Sequence, residues 1–431
     1  MTALNGAVVF NSGTGSDSLA SGLGPSTAVN STTEGTTASY SSTTITFSGS
    51  TDLSGVSAGD LLYLVTSTGQ KFFAIASVND GADSLTVDTA PTGTASGLSW
   101  AIGGKRATWD DSNSRQLFAD AKDQWTIQTE TDQTISSAIT LPALGDSKLV
   151  TILGADSNRS VITQTANSEV FTSGSNTSAK LQDLKLANSN GTKTNAYGVY
   201  HSSGQAKHVY FRNVEFGDAT NTLTDGWHQV SGQVNQGGIR FYDCYISVTG
   251  TGIDIGGGTG VRLYADNLFI ADCGTYGIYS HGPYNTMDLR RVVVDNAGSK
   301  GFYQSNSNLT RLALDGCIFD GCGGDGVDIS AAYGSSQYFV RIINSLFTNN
   351  GGYGLNAASG ADNYIEQADY NAYYNNTSGA RNNLSAGAND VTLSTDPYTN
   401  ASSDDYTLNS TSGGGADCID AGHPQAFPAA A

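Results

Sequence analysis

Gly198-Val199, Gly226-Trp227, Gly252-Ile253, Gly277-Ile278, Gly301-Phe302, Gly326-Val327 and Gly354-Leu355 form one series within the stretch Leu181 to Asn376. Their spacings, 28, 26, 25, 24, 25 and 28 residues, follow from the numbering. A second series keeps the same phase. It runs Asp183-Leu184-Lys185-Leu186, Asn213-Val214-Glu215-Phe216, Asp243-Cys244-Tyr245-Ile246 and Asn267-Leu268-Phe269-Ile270. It continues through Arg291-Val292-Val293-Val294, Gly316-Cys317-Ile318-Phe319 and Asn344-Ser345-Leu346-Phe347, and weakly in Tyr370-Asn371-Ala372-Tyr373. Two landmarks in phase at one period mean a stacked, quasi-one-dimensional repeat.

Each unit holds short runs of Val, Ile, Phe and Tyr alternating with polar residues, broken by Gly, Asn, Asp and Ser, and shows no helical period. A coil of this make-up predicts an all-β, right-handed parallel β-helix in which strands of successive coils pair about 4.8 Å apart. Asn and Asp at the corner suit a left-handed backbone. Over roughly half of the chain these residues resemble the right-handed parallel β-helix repeat family. That resemblance implies the fold and leaves the activity open.

Charged residues make up 14% of the 431-residue chain and aromatics 9%, with a net charge of −19. This is a turn-rich all-β composition that disfavours nucleic acid and anionic membranes as partners, because 20 Lys and Arg supply little phosphate-binding charge. No apolar run is long enough to span a membrane. Met1 to Gly6 lacks the basic and apolar regions of a secretory signal, so the chain is expected to be made in the cytosol. Cys244 and Cys317 fill the slot of Leu184, Val214 and Leu268. These two are expected as small core residues, Cys273 and Cys322 lie at a later, similar phase of their coils, and neither a disulfide framework nor a metal site is expected.

Residues 1–35 read as a flexible or partner-ordered arm. Five alternating segments follow within 36–104: Thr43–Ser48, Leu61–Ser67, Lys71–Val78, Ser84–Thr89 and Ser99–Gly103. They predict a small β-barrel or sandwich for attachment or docking. Leu117, Ala121 and Trp125 share one helical face, so 105–125 is expected to be an N-terminal cap helix over the first open coil. The β-helix is expected over 126–376 and a C-terminal cap over 377–431. Asp396-Pro397-Tyr398, Asp405-Tyr406-Thr407-Leu408 and Ile419-Asp420-Ala421-Gly422 resemble a tail that closes many bacterial and phage β-helix proteins. It is expected to cover the last coil.

If the residue after each landmark glycine points inward, the next points outward, and the outward column reads Tyr200, His228, Asp254, Tyr279, Tyr303, Asp328 and Asn356. Rings that cover sugar C–H surfaces and planar polar groups for hydroxyls make this a candidate glycan-binding face, with His228 and Asp254 as weak catalytic candidates. A polar ladder that merely stabilises coils is weighed first, glycan binding second and catalysis last. Asp254 and Asp328 are three coils apart, about 14 Å, too far for paired glycosidase carboxylates. Pectinase motifs are not met: Ser280-His281-Gly282-Pro283 lacks the preceding Gly. No phosphate loop, metal site or cofactor motif is read.

The arrangement resembles tailed-phage virion structural proteins, of the capsid-decoration, tail-fibre or tailspike kind. The resemblance implies a homotrimer, held to other virion proteins through residues 1–104, whose β-helix projects outward and engages host surface polysaccharide. Localisation in the virion is expected, and an enzyme is the less favoured reading. A polysaccharide lyase or hydrolase using the outward column, and a bacterial surface adhesin, stay open as alternatives.

Overall fold

The computed structural model describes residues 7–10, 34–48 and most of 53–423, with short gaps that include 65–71, 111–114, 332–338 and 361–364. The chain divides into two compact units, 1–196 with 206–214, and 197–205 with 215–431. It is an all-β, right-handed β-helix of about nine turns.

In the first unit, Glu34–Tyr40, Thr44–Phe47, Leu61–Leu64, Phe72–Asn79, Ser84–Val87 and Ala95–Ile102 close into a six-stranded antiparallel barrel. Ile45, Phe47, Leu62, Leu64, Phe73, Ile75 and Trp100 fill it. The strand that pattern reading missed, Glu34–Tyr40, is Gly-Thr-Thr-Ala-Ser-Tyr after its first residue and shows no apolar alternation. The first coil strands follow: Thr126–Thr129 pairs in parallel with Val150–Leu153, which pairs with Ser178–Gln182. Within the stretch expected to be an arm, Ala7–Phe10 is a strand, paired in parallel with Thr126–Thr129 and with Lys105–Arg106; the remainder of 1–33 lies outside the described residues.

The expected helix over 105–125 does not begin where its pattern begins, because Lys105–Arg106 extends into that pairing. Among the described residues helical backbone occurs at Arg115 and at 117–119. Leu117, Phe118, Ala121 and Trp125 are nonetheless buried. Trp109 wedges edge-on against Phe118 and Phe171, at 4.8 and 5.9 Å between ring centroids. Aromatic packing accounts for the burial of this apolar stretch.

In the second unit the strands of successive coils pair in parallel and in register. Ile239 pairs with Leu263, Leu263 with Met287, and Met287 with Leu312. Inward Leu, Ile, Val and Phe side chains stack into a dry core, each contributing roughly 1.5–3 kcal/mol on burial. Cys244, Cys273, Cys317 and Cys322 are buried within it, and burial pushes the Cys317 and Cys322 thiols up to about 12.

The second series marks the left-handed corner: Asp243, Asn267 and Asn344 have φ of 54°, 56° and 55°. Neighbouring corners are laced by amide-to-carboxylate hydrogen bonds, Asn267 to Asp243 at 2.9 Å and Asn344 to Asp315 at 2.8 Å. Arg291 and Tyr370 hold the same left-handed backbone, with φ of 48° and 60°, and Arg291 Nε donates to Asp266 Oδ1 of the neighbouring coil at 2.9 Å.

The landmark glycines serve close approach. A Cβ on Gly301 would stand 2.5 Å from the Gly326 carbonyl oxygen and 2.6 Å from the Phe319 ring, and one on Gly277 would stand 2.6 Å from the Gly301 oxygen.

The C-terminal segment does more than close the end. Val391–Thr392 pairs with Ala372–Tyr374, and the hairpin Tyr398–Asn400 with Asp405–Leu408 then lies along the flank of earlier coils. Tyr398 hydroxyl meets Thr348 Oγ1 at 3.0 Å, Tyr406 hydroxyl donates to Asp320 Oδ2 at 3.2 Å, and the Tyr406 ring meets Phe269. Covering the last coil was the expectation. The tail runs back across several coils because their outward Phe269 and buried Asp320 give it an apolar and a hydrogen-bonding anchor.

Candidate functional site on the outward sheet face

One parallel sheet of the second unit runs Tyr197–His201, Asp225–Gln229, Ile253–Ile255, Ile278–Ser280, Phe302–Gln304, Val327–Ile329 and Tyr353–Ala357. Its register sets Tyr200 beside His228, His228 beside Asp254, Asp254 beside Tyr279, Tyr279 beside Tyr303, Tyr303 beside Asp328 and Asp328 beside Asn356. All seven residues of the outward column therefore line up.

A second column stands beside the first. The residue before each landmark glycine, three positions earlier in every coil, reads Tyr197, Asp225, Thr251, Tyr276, Lys300, Asp325 and Tyr353. It reaches diagonally to the next coil of the first column. Tyr197 stacks on His228 at 4.2 Å, and Tyr276 faces Tyr303 at 5.4 Å. Lys300 Nζ bonds Asp328 Oδ2 and lies 3.9 Å from the Tyr303 ring centroid. Asp325 Oδ2 accepts from Asn356 Nδ2 at 2.9 Å. Strict period-2 alternation would put positions three apart on opposite faces, so phase alone did not mark this column.

The face has two chemically different ends. At one end His228 Nδ1 lies 2.7 Å from Asp225 Oδ2 and 3.3 Å from Asp254 Oδ2. His281 Nε2 bonds the other Asp254 oxygen at 3.0 Å and its ring stacks on Tyr279 at 4.6 Å. Burial opposes the charged form of His228, but the Asp225 hydrogen bond and the charges of Asp225 and Asp254 outweigh it, and its pKa is raised. At the other end burial pulls Lys300 down, and its hydrogen bond and charge pairing with Asp328 raise it further. Asp328, expected to face outward freely, is 2% exposed and covered by that lysine. Between the ends, Tyr276, Tyr279 and Tyr303 form an aromatic patch, with Tyr279 and Tyr303 stacked at 5.4 Å. Sequence reading missed Asp225, His281 and Lys300 here.

The fold and this outward face define a right-handed parallel β-helix protein. Residues 168–369 match the family model described as a right handed beta helix region. Among similar solved structures are the catalytic domain of a GH87 alpha-1,3-glucanase in complex with nigerose and two phage tailspikes. The glucanase is 13% identical at a TM-score of 0.31, covering 85% of this chain and 87% of that one. The tailspike protein gp49 from Pseudomonas phage LKA1 is 12% identical at a TM-score of 0.25, covering 85% of this chain and 62% of that one. The Dettilon tailspike protein gp208 is 14% identical at a TM-score of 0.31, covering 64% of this chain and 63% of that one. The chain thus spans under two thirds of the length of either tailspike. No curated protein matches it. Among the described residues no helix is long and apolar enough to cross a membrane.

Proposed function

We propose that this chain is a tailspike-type structural protein of a phage particle whose outward sheet face recognises a host surface polysaccharide. The observation that carries this reading is the double column, where a patch of three tyrosine rings lies between a carboxylate–imidazole cluster and a lysine–carboxylate pair. Stacked rings cover the C–H faces of sugars, and fixed acids and amides discriminate hydroxyl positions. Residues 1–104 act as the attachment module and the chain works as a homotrimer. Deleting 1–104 is expected to leave a folded β-helix that no longer joins particles; a deleted chain that still assembled would remove the anchoring role. Sedimentation of the intact chain checks the trimer.

A second reading rests on one geometric fact. The facing carboxylate oxygens of Asp225 and Asp254 lie within 4.8 Å of one another, close to the roughly 5 Å separation of retaining glycosidases. The experiment that separates the readings is a polysaccharide panel assayed for both binding and chain cleavage, with wild type and Asp225→Asn/Asp254→Asn. Binding without cleavage is the expected result. Cleavage lost in the double variant would make the protein a glycan-degrading enzyme, and silence across the panel in both assays would overturn glycan recognition.

A further inference from the structure

We infer that Asp225, His228 and Asp254 form a binding site for one divalent transition-metal ion of the zinc type. The inference is independent of glycan recognition. One donor atom from each, a carboxylate oxygen of Asp225 and of Asp254 and a ring nitrogen of His228, converges from two adjacent strands, and the three lie within 4.8 Å of one another. A tetrahedral ion with bonds of about 2.0–2.1 Å needs donors about 3.4 Å apart. The His228–Asp254 separation of 3.3 Å already meets this, and the His228–Asp225 separation of 2.7 Å has to open by under about 1 Å.

Each donor is held in place by a separate group. The Thr251 amide donates to Asp225 Oδ1 at 2.6 Å and leaves Oδ2 for the centre. His281 Nε2 occupies Asp254 Oδ1 at 3.0 Å and leaves that residue's Oδ2. Tyr197, stacked within 6° of parallel, fixes the His228 ring plane. Partners that orient ligands through their far atoms are the usual outer shell of a metal site. The Asp225, Asp254 and His228 side chains are 8%, 14% and 20% exposed, so the centre is sheltered yet open on one side to a water or a substrate oxygen. One imidazole with two carboxylates selects a borderline ion such as zinc over calcium or magnesium, which require six or more oxygens or near-octahedral water.

The test uses the full chain without an affinity tag, stripped by chelator, equilibrated with zinc chloride and freed of unbound ion. Metal per chain is then read by plasma mass spectrometry, with a melting curve alongside. Wild type is expected to keep about one zinc per chain and to melt higher with it. His228→Gln and Asp254→Asn, both able to keep a hydrogen bond and fold, are expected to keep less than about a fifth of that. Lys300→Met, at the other end of the face, is expected to keep all of it. His281→Gln is expected to weaken zinc binding about tenfold while leaving the stoichiometry intact. Absence of retained zinc in wild type, equal retention in His228→Gln, or displacement by millimolar calcium would each overturn the assignment. Zinc binding with no glycan bound would leave this site standing and the glycan reading fallen.

Discussion

Two flanks of the same coils carry outward aromatic ladders, and they have opposite fates. On one flank Tyr245 stacks on Phe269, and the chain's own tail covers the ladder with Tyr406 and Tyr398. On the other, Tyr200, His228, Tyr279 and Tyr303 of the first column stand half-buried and face outward. The covered flank uses its aromatics for cohesion: Tyr398 is 4% exposed, and its hydroxyl is pinned to Thr348. The outward flank places its rings between fixed charges. The same stacked geometry becomes core where the sequence supplies a cover, and a recognition surface where it supplies charges instead.

The comparison breaks most readily at the covered flank. Tyr398→Ala is expected to cost about 3 kcal/mol in urea unfolding, and Tyr303→Ala on the outward flank under about 1 kcal/mol. Equal costs would erase the distinction. Gly301 lies two residues from Tyr303 on the inward side, and Gly301→Ala is expected to cost about 2 kcal/mol by the same measurement, because its new methyl strikes the Gly326 carbonyl.

The flanks should also titrate in separate windows. Burial, opposed in part by the Tyr406 hydrogen bond and reinforced by the charges of Asp320, Asp272 and Asp404, raises Asp295 from 3.8 to about 6. A carboxyl raised in the folded state is stabilising while protonated. Stability is therefore greatest below about pH 4 and falls as pH rises to about 6, by about 1 kcal/mol after discounting for the group's partial exposure. Asp295→Asn is expected to remove that slope and to raise the melting temperature at pH 7.5. His228, also raised, contributes stability that is full below its ordinary value of 6.5 and is lost as pH climbs through the folded value. This is the smallest effect, and a melting series from pH 6 to 8.5 with His228→Gln should flatten it.

The coil was legible because its two landmarks have separate physical causes that each leave a fixed residue type. The left-handed corner asks for Asn or Asp, and close approach between stacked coils asks for Gly. The outward column was legible because it keeps a constant offset from that glycine. Its neighbour was equally regular, but Thr251, Lys300 and Asp325 share no residue type with Tyr197, so no composition signal marked it. His281 lies beyond its strand, at a loop position with no fixed offset. The stretch near Trp109 showed its apolar spacing in the sequence, but not the edge-on packing of Trp109 on Phe171, which lies far along the chain. The tail's path was hidden for a related reason: its motif marks an end, while its anchors, Phe269 and Asp320, lie far back along the chain.

The most direct test is a binding titration against the polysaccharide that the panel selects, comparing wild type, Tyr276→Ala/Tyr303→Ala on the outward flank and Tyr398→Phe on the covered one. The account predicts at least a tenfold loss of affinity for the outward pair, about 1.4 kcal/mol or more, with Tyr398→Phe binding like wild type. Unchanged affinity in the outward pair, or a loss confined to Tyr398→Phe, would contradict it.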